Sequence, residues 1–317
     1  MIANILLLIF GFIILIRGAD IFVDGASSVA GNFKLSKMLI GLTIVSFGTS
    51  APEFAVSIKS IVSGNHDIVL GNVIGSNILN ILLILGVSSL FHSLNVKGAT
   101  VQKELPITML ITVLFTVLLS DSLINGEGVS SFTRVDGIVL VLFFTVFIYY
   151  LFSMMRNKHE QSEEENYLSL GKAIVYTLSG IGFIVLGSNF VVDSASYIAK
   201  AFGVSQKLIS LTIIALGTSL PELATSVQAT RKGEYDIAIG NVVGSNIFNI
   251  GLVIGLPISI FGGINSINFN FLDLFTLVIS TVLLFIFSLN DKKITKKEGL
   301  IFLLVFVIYY ANVIITG

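Results

Sequence analysis

Residues 41–86 read GLTIVSFGTSAPEFAVSIKSIVSGNHDIVLGNVIGSNILNILLILG, and residues 210–255 read SLTIIALGTSLPELATSVQATRKGEYDIAIGNVVGSNIFNIGLVIG. The two segments align without a gap at an offset of 169, and 24 of the 46 positions are identical. The same offset carries Gly18 onto Gly187, Asp24 onto Asp193, Ala26 onto Ala195 and Phe33 onto Phe202. The duplication is therefore half a molecule long, and whatever one segment does is done twice.

Composition says where this happens. Of 317 residues, 54% are apolar and 12% are charged, against about 25% charged in a typical soluble domain. So little charge cannot cover the surface of a soluble protein of this size. That excludes an ordinary cytosolic enzyme, a nucleic-acid binder and a disordered chain. The net charge of −1 gives no global field for polyanions. With no cysteine there is no disulfide framework and no thiolate metal site. With no tryptophan, interfacial anchoring falls to the 8 tyrosines and to Lys/Arg. The apolar runs reach the length of a spanning helix, about 20 residues, which a β-barrel strand does not.

The breaks between runs predict ten spans, over residues 2–27, 38–62, 67–92, 104–122, 133–155, 169–199, 207–230, 236–261, 270–289 and 298–316. Residues 1–16 lack a basic start and a small-residue cleavage site, so they read as the first span and not as a leader. The expected organisation is an all-α polytopic membrane protein with a five-helix repeat over 1–155, a polar linker over 156–168 and a second five-helix repeat over 169–317. Five is odd, so the second repeat enters from the opposite side and is inverted relative to the first. Inverted repeats with broken helices and a midplane site are a transporter architecture. Loops after odd-numbered spans hold 13 Lys/Arg and those on the other side hold 4. The positive-inside rule then puts both termini outside the cell membrane and the linker in the cytoplasm.

Most acidic residues fall in loops or near span ends. Glu53 and Glu222 fall in mid-span, at equivalent positions of G-T-S-x-P-E. A charged carboxylate at bilayer depth costs at least about 2.5–3.5 kcal/mol. No mid-span Lys or Arg is available to pair with either, so the two are expected to face each other and share a cation or protons. Pro52 and Pro221 lack an N–H, which frees the carbonyls of Gly48 and Gly217 and should break each helix just before its glutamate. Such a break at membrane depth is tolerated where it lines a protected cavity. In G-N-V-x-G-S-N-I-x-N, Asn72, Ser76 and Asn80 share one helix face, as do Asn241, Ser245 and Asn249. Asn72, Asn77, Asn241 and Asn246 read as interhelical hydrogen-bonding residues, whereas Ser76, Asn80, Ser245 and Asn249 read as cavity-lining ligands. Gly71, Gly75, Gly240 and Gly244 form small-residue patches that let a neighbouring helix approach. Arg17 and Asp20, one turn apart, read as a structural pair near the membrane surface. The donors on offer are all oxygens, with no sulfur and no mid-span histidine. That set suits Ca²⁺ or Na⁺ and argues against zinc, copper or iron.

The doubled motif resembles the α-repeats of the calcium/cation antiporter superfamily, and most of all its prokaryotic sodium/calcium exchangers. The resemblance implies alternating access around one Ca²⁺ site with flanking Na⁺ sites. It implies Ca²⁺ binding by Glu53, Glu222 and the carbonyls of Thr49 and Thr218. It assigns outer Na⁺ sites to Ser50, Ser76, Ser219 and Ser245 with the backbone at Ser46 and Ala215, and a lining role to Asn80 and Asn249. Asn at both central positions is similar to potassium-independent exchangers. The G-N-A-x-E-H motif of the proton-coupled branch is absent. A Ca²⁺/H⁺ antiporter on the same scaffold is the alternative, since acids at membrane depth also carry protons. A passive channel fits an inverted duplication poorly. An intramembrane hydrolase would need a Ser–His pair, paired aspartates or a His-ligated metal in the spans. The expectation is thus a transporter and not an enzyme. Its substrates are Ca²⁺ and Na⁺ and its surroundings are lipid, with no cofactor, nucleic acid or obligate protein partner.

Overall fold

The computed structural model describes residues 1–64, 66–120, 130–156, 167–203, 215–267 and 271–316. The described chain is helical apart from two short two-stranded ribbons. Its helices are α1 (Ile2–Phe33), α2 (Lys37–Thr49), α3 (Ala51–Val62), α4 (Ile68–Phe91), α5 (Gly98–Leu119), α6 (Arg134–Arg156) and α7 (Leu170–Ala201). They continue as α8 (Ala215–Thr218), α9 (Leu220–Arg231), α10 (Tyr235–Phe261), α11 (Leu272–Leu289) and α12 (Lys296–Ile315).

Eight of these are long and apolar enough to cross a membrane, and the bent pair α2 and α3 makes a ninth. The tenth expected span, 207–230, begins outside the described residues, and α8 and α9 are its described part. Most of the linker, 157–166, also lies outside them.

Two expected boundaries shift. The first span runs to Phe33, because nothing after residue 27 breaks the helix until Lys34. There the chain turns left-handed (φ 55°) and its N–H caps the carbonyls of Ala30 and Gly31. The fourth span begins at Gly98, a full turn early. At 32 residues each, α1 and α7 would measure about 48 Å. A hydrocarbon core of about 30 Å is shorter than that, so each helix extends beyond it or crosses it tilted.

Burial separates centre from rim. The spanning window of α10 is 94% buried and that of α4 is 72%, against 22% for α6 and α12. The repeat segments therefore form the core, and the helices that follow them face outward with large apolar side chains such as Leu142, Val146, Leu304 and Val307. Packing crosses between the halves. Span five, α6, lies on the end of α10, where Gly137 meets Gly255 and Ser259. Span ten, α12, lies on the equivalent end of α4, where Gly86 meets Leu303 and Gly299. The ribbons pair Leu94–Asn95 (β1) with Lys293–Ile294 (β4), and Ser130–Phe132 (β2) with Ile264–Ile267 (β3), both antiparallel. A further paired device appears in the two halves. Glu104 accepts a hydrogen bond from Tyr150, and Asp273, at the 169 offset from Glu104, accepts one from Tyr309.

In front of this core α1 and α7 pack along their length. Buried small residues recur every seven positions on α1 at Gly11, Gly18 and Gly25, and on α7 at Ala173, Gly180, Gly187 and Ser194. A Cβ at Gly180 would sit 2.7 Å from the backbone of Phe22, and one at Gly187 would sit 2.5 Å from Leu15 N. Dispersion at this close approach, more than any hydrophobic gain, holds helices together in lipid. Gly180→Leu should therefore overpack the seam and cost about 1–3 kcal/mol, read as a lower unfolding midpoint of the detergent-purified chain. Gly182→Leu, two residues away with nothing within 4 Å of its Cβ, should leave the midpoint unchanged.

Candidate cation site

The helix breaks fall where the prolines require. Between α2 and α3 the axis bends by 46°. The break residue is Ser50 (φ −83°, ψ 5°), and its equivalent between α8 and α9 is Ser219 (φ −91°, ψ 4°). Both occupy the sparsely populated bridge region, which is common at active sites. The consequences for the freed carbonyls differ. Gly217 O, deprived of a partner by Pro221, accepts a hydrogen bond of 2.9 Å from the hydroxyl of Ser188 on α7. In the first repeat the residue at the same offset from Ser188 is Ala19, which has no hydroxyl.

Each break delivers a glutamate to the interior. Glu53 and Glu222 are buried to 0% and 1% exposure. The serine of each repeat reaches the carboxylate of the other. The Ser50 hydroxyl donates to Glu222 Oε1 at 3.1 Å, and the Ser219 hydroxyl lies 3.4 Å from Glu53 Oε1. Ser76 Oγ closes this group, 3.5 Å from Glu53 Oε1 and 3.4 Å from Ser219 Oγ. The structure thus brings Glu53, Ser76 and Glu222 together from three helices, α3, α4 and α9, with Ser50 and Ser219 from the two breaks.

The asparagines behind them act as ties. Asn72 Nδ2 donates to Glu53 O and Ser57 Oγ, at 3.2 and 3.4 Å. Asn241 Nδ2 donates to Glu222 O and Ser226 Oγ, at 3.4 and 2.9 Å. Each pins its glutamate-bearing helix to the next helix of the same repeat. Asn241 Oδ1 also accepts from Thr49 Oγ1 at 3.0 Å, which joins the halves. Ser57 and Ser226 are thus part of the scaffold. Lying one turn past each glutamate, they were legible only as the i+4 neighbours of Glu53 and Glu222. The Gly240–Gly244 patch admits α2 closely, since a Cβ at Gly244 would meet Ser46 Oγ at 2.6 Å.

At the molecular centre Asn80 and Asn249 open matched π-helical turns, Asn80–Leu85 and Asn249–Ile254. Such widened turns frequently mark functional sites. Asn80 Nδ2 donates to Asn246 Oδ1 at 2.9 Å, and Asn246 Nδ2 donates to Asn77 O at 3.3 Å. Asn77 departs from expectation. Its own side-chain amide is buried with no hydrogen-bond partner, because Asn246 engages its backbone instead. Buried polar atoms are normally satisfied. Here Glu53 Oε2, Glu222 Oε2, Asn80 Oδ1, Ser245 Oγ and both polar atoms of Asn249 have no hydrogen-bond partner among the described residues. Thr225 Oγ1, three residues after Glu222, belongs with them and was not anticipated.

The remaining candidates are placed as follows. Thr49 is buried and Thr218 half-buried. Ser46 is buried, and its carbonyl accepts from Ser50 N at 2.9 Å and Thr49 Oγ1 at 3.4 Å. Ala215 opens α8 directly after residues outside the described set. Among the described residues no group of three or more His, Cys, Asp or Glu comes together as a metal site. A cation held here would be held by two carboxylates completed by hydroxyl, amide and carbonyl oxygens, a donor set for hard cations. The expected Arg17–Asp20 pair is replaced by another. Asp20 Oδ1 lies 2.7 Å from Lys232 Nζ, which also reaches Asp24 Oδ1 at 2.6 Å. The lysine at the end of α9 approaches both carboxylates from one side, where a neighbour on the same helix cannot.

One prediction tests the breaks themselves. Ser188→Ala strips Gly217 O of its substitute for a helical bond. It should destabilise the chain by about 1–3 kcal/mol, measured as a drop in the unfolding midpoint in detergent.

Known proteins resemble this chain over nearly its whole length. The family described as sodium/calcium exchanger protein matches residues 3–153 and 172–315. The chain is 38% identical to the putative antiporter CaxA of Alkalimonas amylolytica, covering 98% of each. It is 31% identical to the sodium/calcium exchanger MaX1 of Methanosarcina acetivorans, covering 96% of this chain and 97% of the relative. Among solved structures, the sodium-calcium exchanger NCX_Mj soaked with Na⁺ superposes with a TM-score of 0.83 at 32% identity over 98% of both chains. The chain belongs to the sodium/calcium exchanger family, as one of its prokaryotic-type members, and is a membrane antiporter of cations.

Proposed function

We propose that this member of the sodium/calcium exchanger family exchanges Na⁺ for Ca²⁺ by alternating access at a site shared by Glu53 and Glu222. The observation that carries the reading is the reciprocal crossing of the repeats. Each glutamate is approached by the other repeat's serine, and each keeps a second carboxylate oxygen with no hydrogen-bond partner among the described residues. MaX1 and NCX_Mj, both named as sodium/calcium exchangers, support the same ions here.

In this reading the carboxylates and the carbonyls of Thr49 and Thr218 bind Ca²⁺. Ser50, Ser76, Ser219, Ser245 and the backbone at Ser46 and Ala215 serve Na⁺, and Asn80 and Asn249 line the centre. Coupling follows from electrostatics. Two like charges in a low-dielectric cavity require counter-charge. The emptied site therefore resists reorientation, while a site loaded with one Ca²⁺ or with Na⁺ can turn to the other face. Leak is suppressed and exchange is enforced.

The same proposal carries ten spans in two inverted halves, 1–155 and 169–317, about a linker at 156–168. The contacts between loops support it by parity. β1 and β4 follow spans three and nine, and Lys37 and Lys97 after spans one and three pair with Glu234 and Asp236 after span seven. β2 and β3 follow spans four and eight. Odd loops meet odd and even loops meet even, as ten alternating crossings require. The positive-inside bias then makes the odd face cytoplasmic and both termini external.

The test is Ca²⁺ uptake into proteoliposomes. An outward Na⁺ gradient should drive it, and a pH gradient without Na⁺ should not. Glu53→Gln and Glu222→Gln should each abolish it while retaining a folded chain by size exclusion. Uptake on the pH gradient alone would instead assign proton coupling, and uptake with neither ion would refute antiport at this site.

A further inference from the structure

Away from the cation site, an open cleft of about 480 Å³ separates α1 from the end of α9, lined by Ile16, Arg17, Asp20, Gln228, Arg231 and Lys232. Its floor is fixed, since Gln228 Nε2 donates to Ile16 O at 3.3 Å. Its one lining carboxylate is already engaged, because Asp20 lies 2.7 Å from Lys232 Nζ. Asp24 meets the same lysine at 2.6 Å. The two guanidiniums have no such partner. Both Arg17 and Arg231 are exposed, and among the described residues neither has a carboxylate within ion-pair distance. Arg231 donates to Gln228 Oε1 at 3.4 Å and stands over the ring of Phe91, 5.9 Å from its centroid.

Arg17 interrupts a helix whose outward face is otherwise Ile9, Phe10, Phe12, Ile13 and Ile16, all exposed. A charged residue on such a wall is costly, and those that are kept pair with something or reach for the interface. Asp20, one turn on, is not available to it. Arginine presents a planar fork that matches phosphate oxygens two at a time. Two such forks beside an open cleft, with Ile16 and Phe91 exposed on its rim, suit a phosphate that arrives attached to acyl chains. The chain just past Lys232 meets Lys37 and Lys97 through Glu234 and Asp236, which in the orientation proposed above is the lysine-rich cytoplasmic side that attracts anionic lipid.

We propose that this cleft binds the phosphate headgroup of an anionic phospholipid, gripped by Arg17 and Arg231 with Lys232 held in place by Asp20 and Asp24. The lipid would bridge α1 to the end of α9, joining the outer helix pair to the core. Nothing in this assignment depends on which cation is transported.

Thermal unfolding of the detergent-purified full chain tests it, with three additions compared: phosphatidylglycerol, phosphatidylcholine of the same acyl chains, and inorganic phosphate. Phosphatidylglycerol should raise the midpoint by several degrees and the other two should not. The double variant Arg17→Gln/Arg231→Gln should lose most of that shift, whereas Arg17→Lys should keep part of it. Native mass spectrometry of the unmodified protein gives a readout that needs no variant, and should retain phosphatidylglycerol in preference to phosphatidylcholine. Equal response to the two lipids, or an undiminished response in the double variant, would overturn the proposal. A shift of the same size with inorganic phosphate would overturn the lipid and leave a soluble-anion site.

Discussion

Two carboxylates held in the middle of a membrane protein dominate the energetics of this chain. Among the described residues neither Glu53 nor Glu222 has a Lys or Arg within ion-pair distance, and both are sealed from the surface. A charge so placed is costly unless the protein supplies polar groups around it. Much of the structure can be understood as meeting that demand. The helices break so that the glutamates enter from two sides. The serines cross between repeats to meet them, and the asparagines one helix behind anchor the backbone that carries them.

The break has a cost of its own, since a freed carbonyl at membrane depth has no water to turn to. The two repeats answer it differently. Ser188 on α7 caps Gly217 O, so the second broken helix is bonded to one member of the outer pair. At the equivalent place on α1 stands Ala19, which supplies nothing. An internal duplication has thus acquired one asymmetric latch between the outer helices and the core. The other contacts between those helices and the core include glycine, apolar surface, the hydrogen bonds of Gln228 to Ile16 O and of Ser27 to Glu234, and the ion pairs of Lys232.

Those outer helices differ in kind from the rest. The α4 and α10 segments are the most enclosed of the described spans, and most of their polar residues are buried. The α1–α7 pair is held by a seam of small residues seven apart and leaves long apolar faces outward. Such a seam gives close contact with few directional bonds.

Much of this was legible in the chain itself. Hydropathy dictates the spans because backbone in lipid must be helical. The gapless duplication with an odd number of spans dictates the expected inversion. Proline and glycine place the breaks to within a residue or two, and mid-span acids with no basic partner announce where to look. What remained hidden was everything that depends on which helix lies beside which. The cross-repeat serine–glutamate contacts join residues more than 160 positions apart, and no local pattern encodes such a pairing. Arg17 and Asp20 look like partners because helical spacing is visible in a sequence. Lys232, which takes Asp20, is brought there only when α9 folds against α1. Asn77 and Asn246 occupy equivalent positions in the two repeats, yet the Asn246 amide is bonded and the Asn77 amide is not, an asymmetry that no sequence pattern announces. Local rules settled which segments form helices and where they break, and tertiary packing alone decided which polar atoms are satisfied and which are left to face the site.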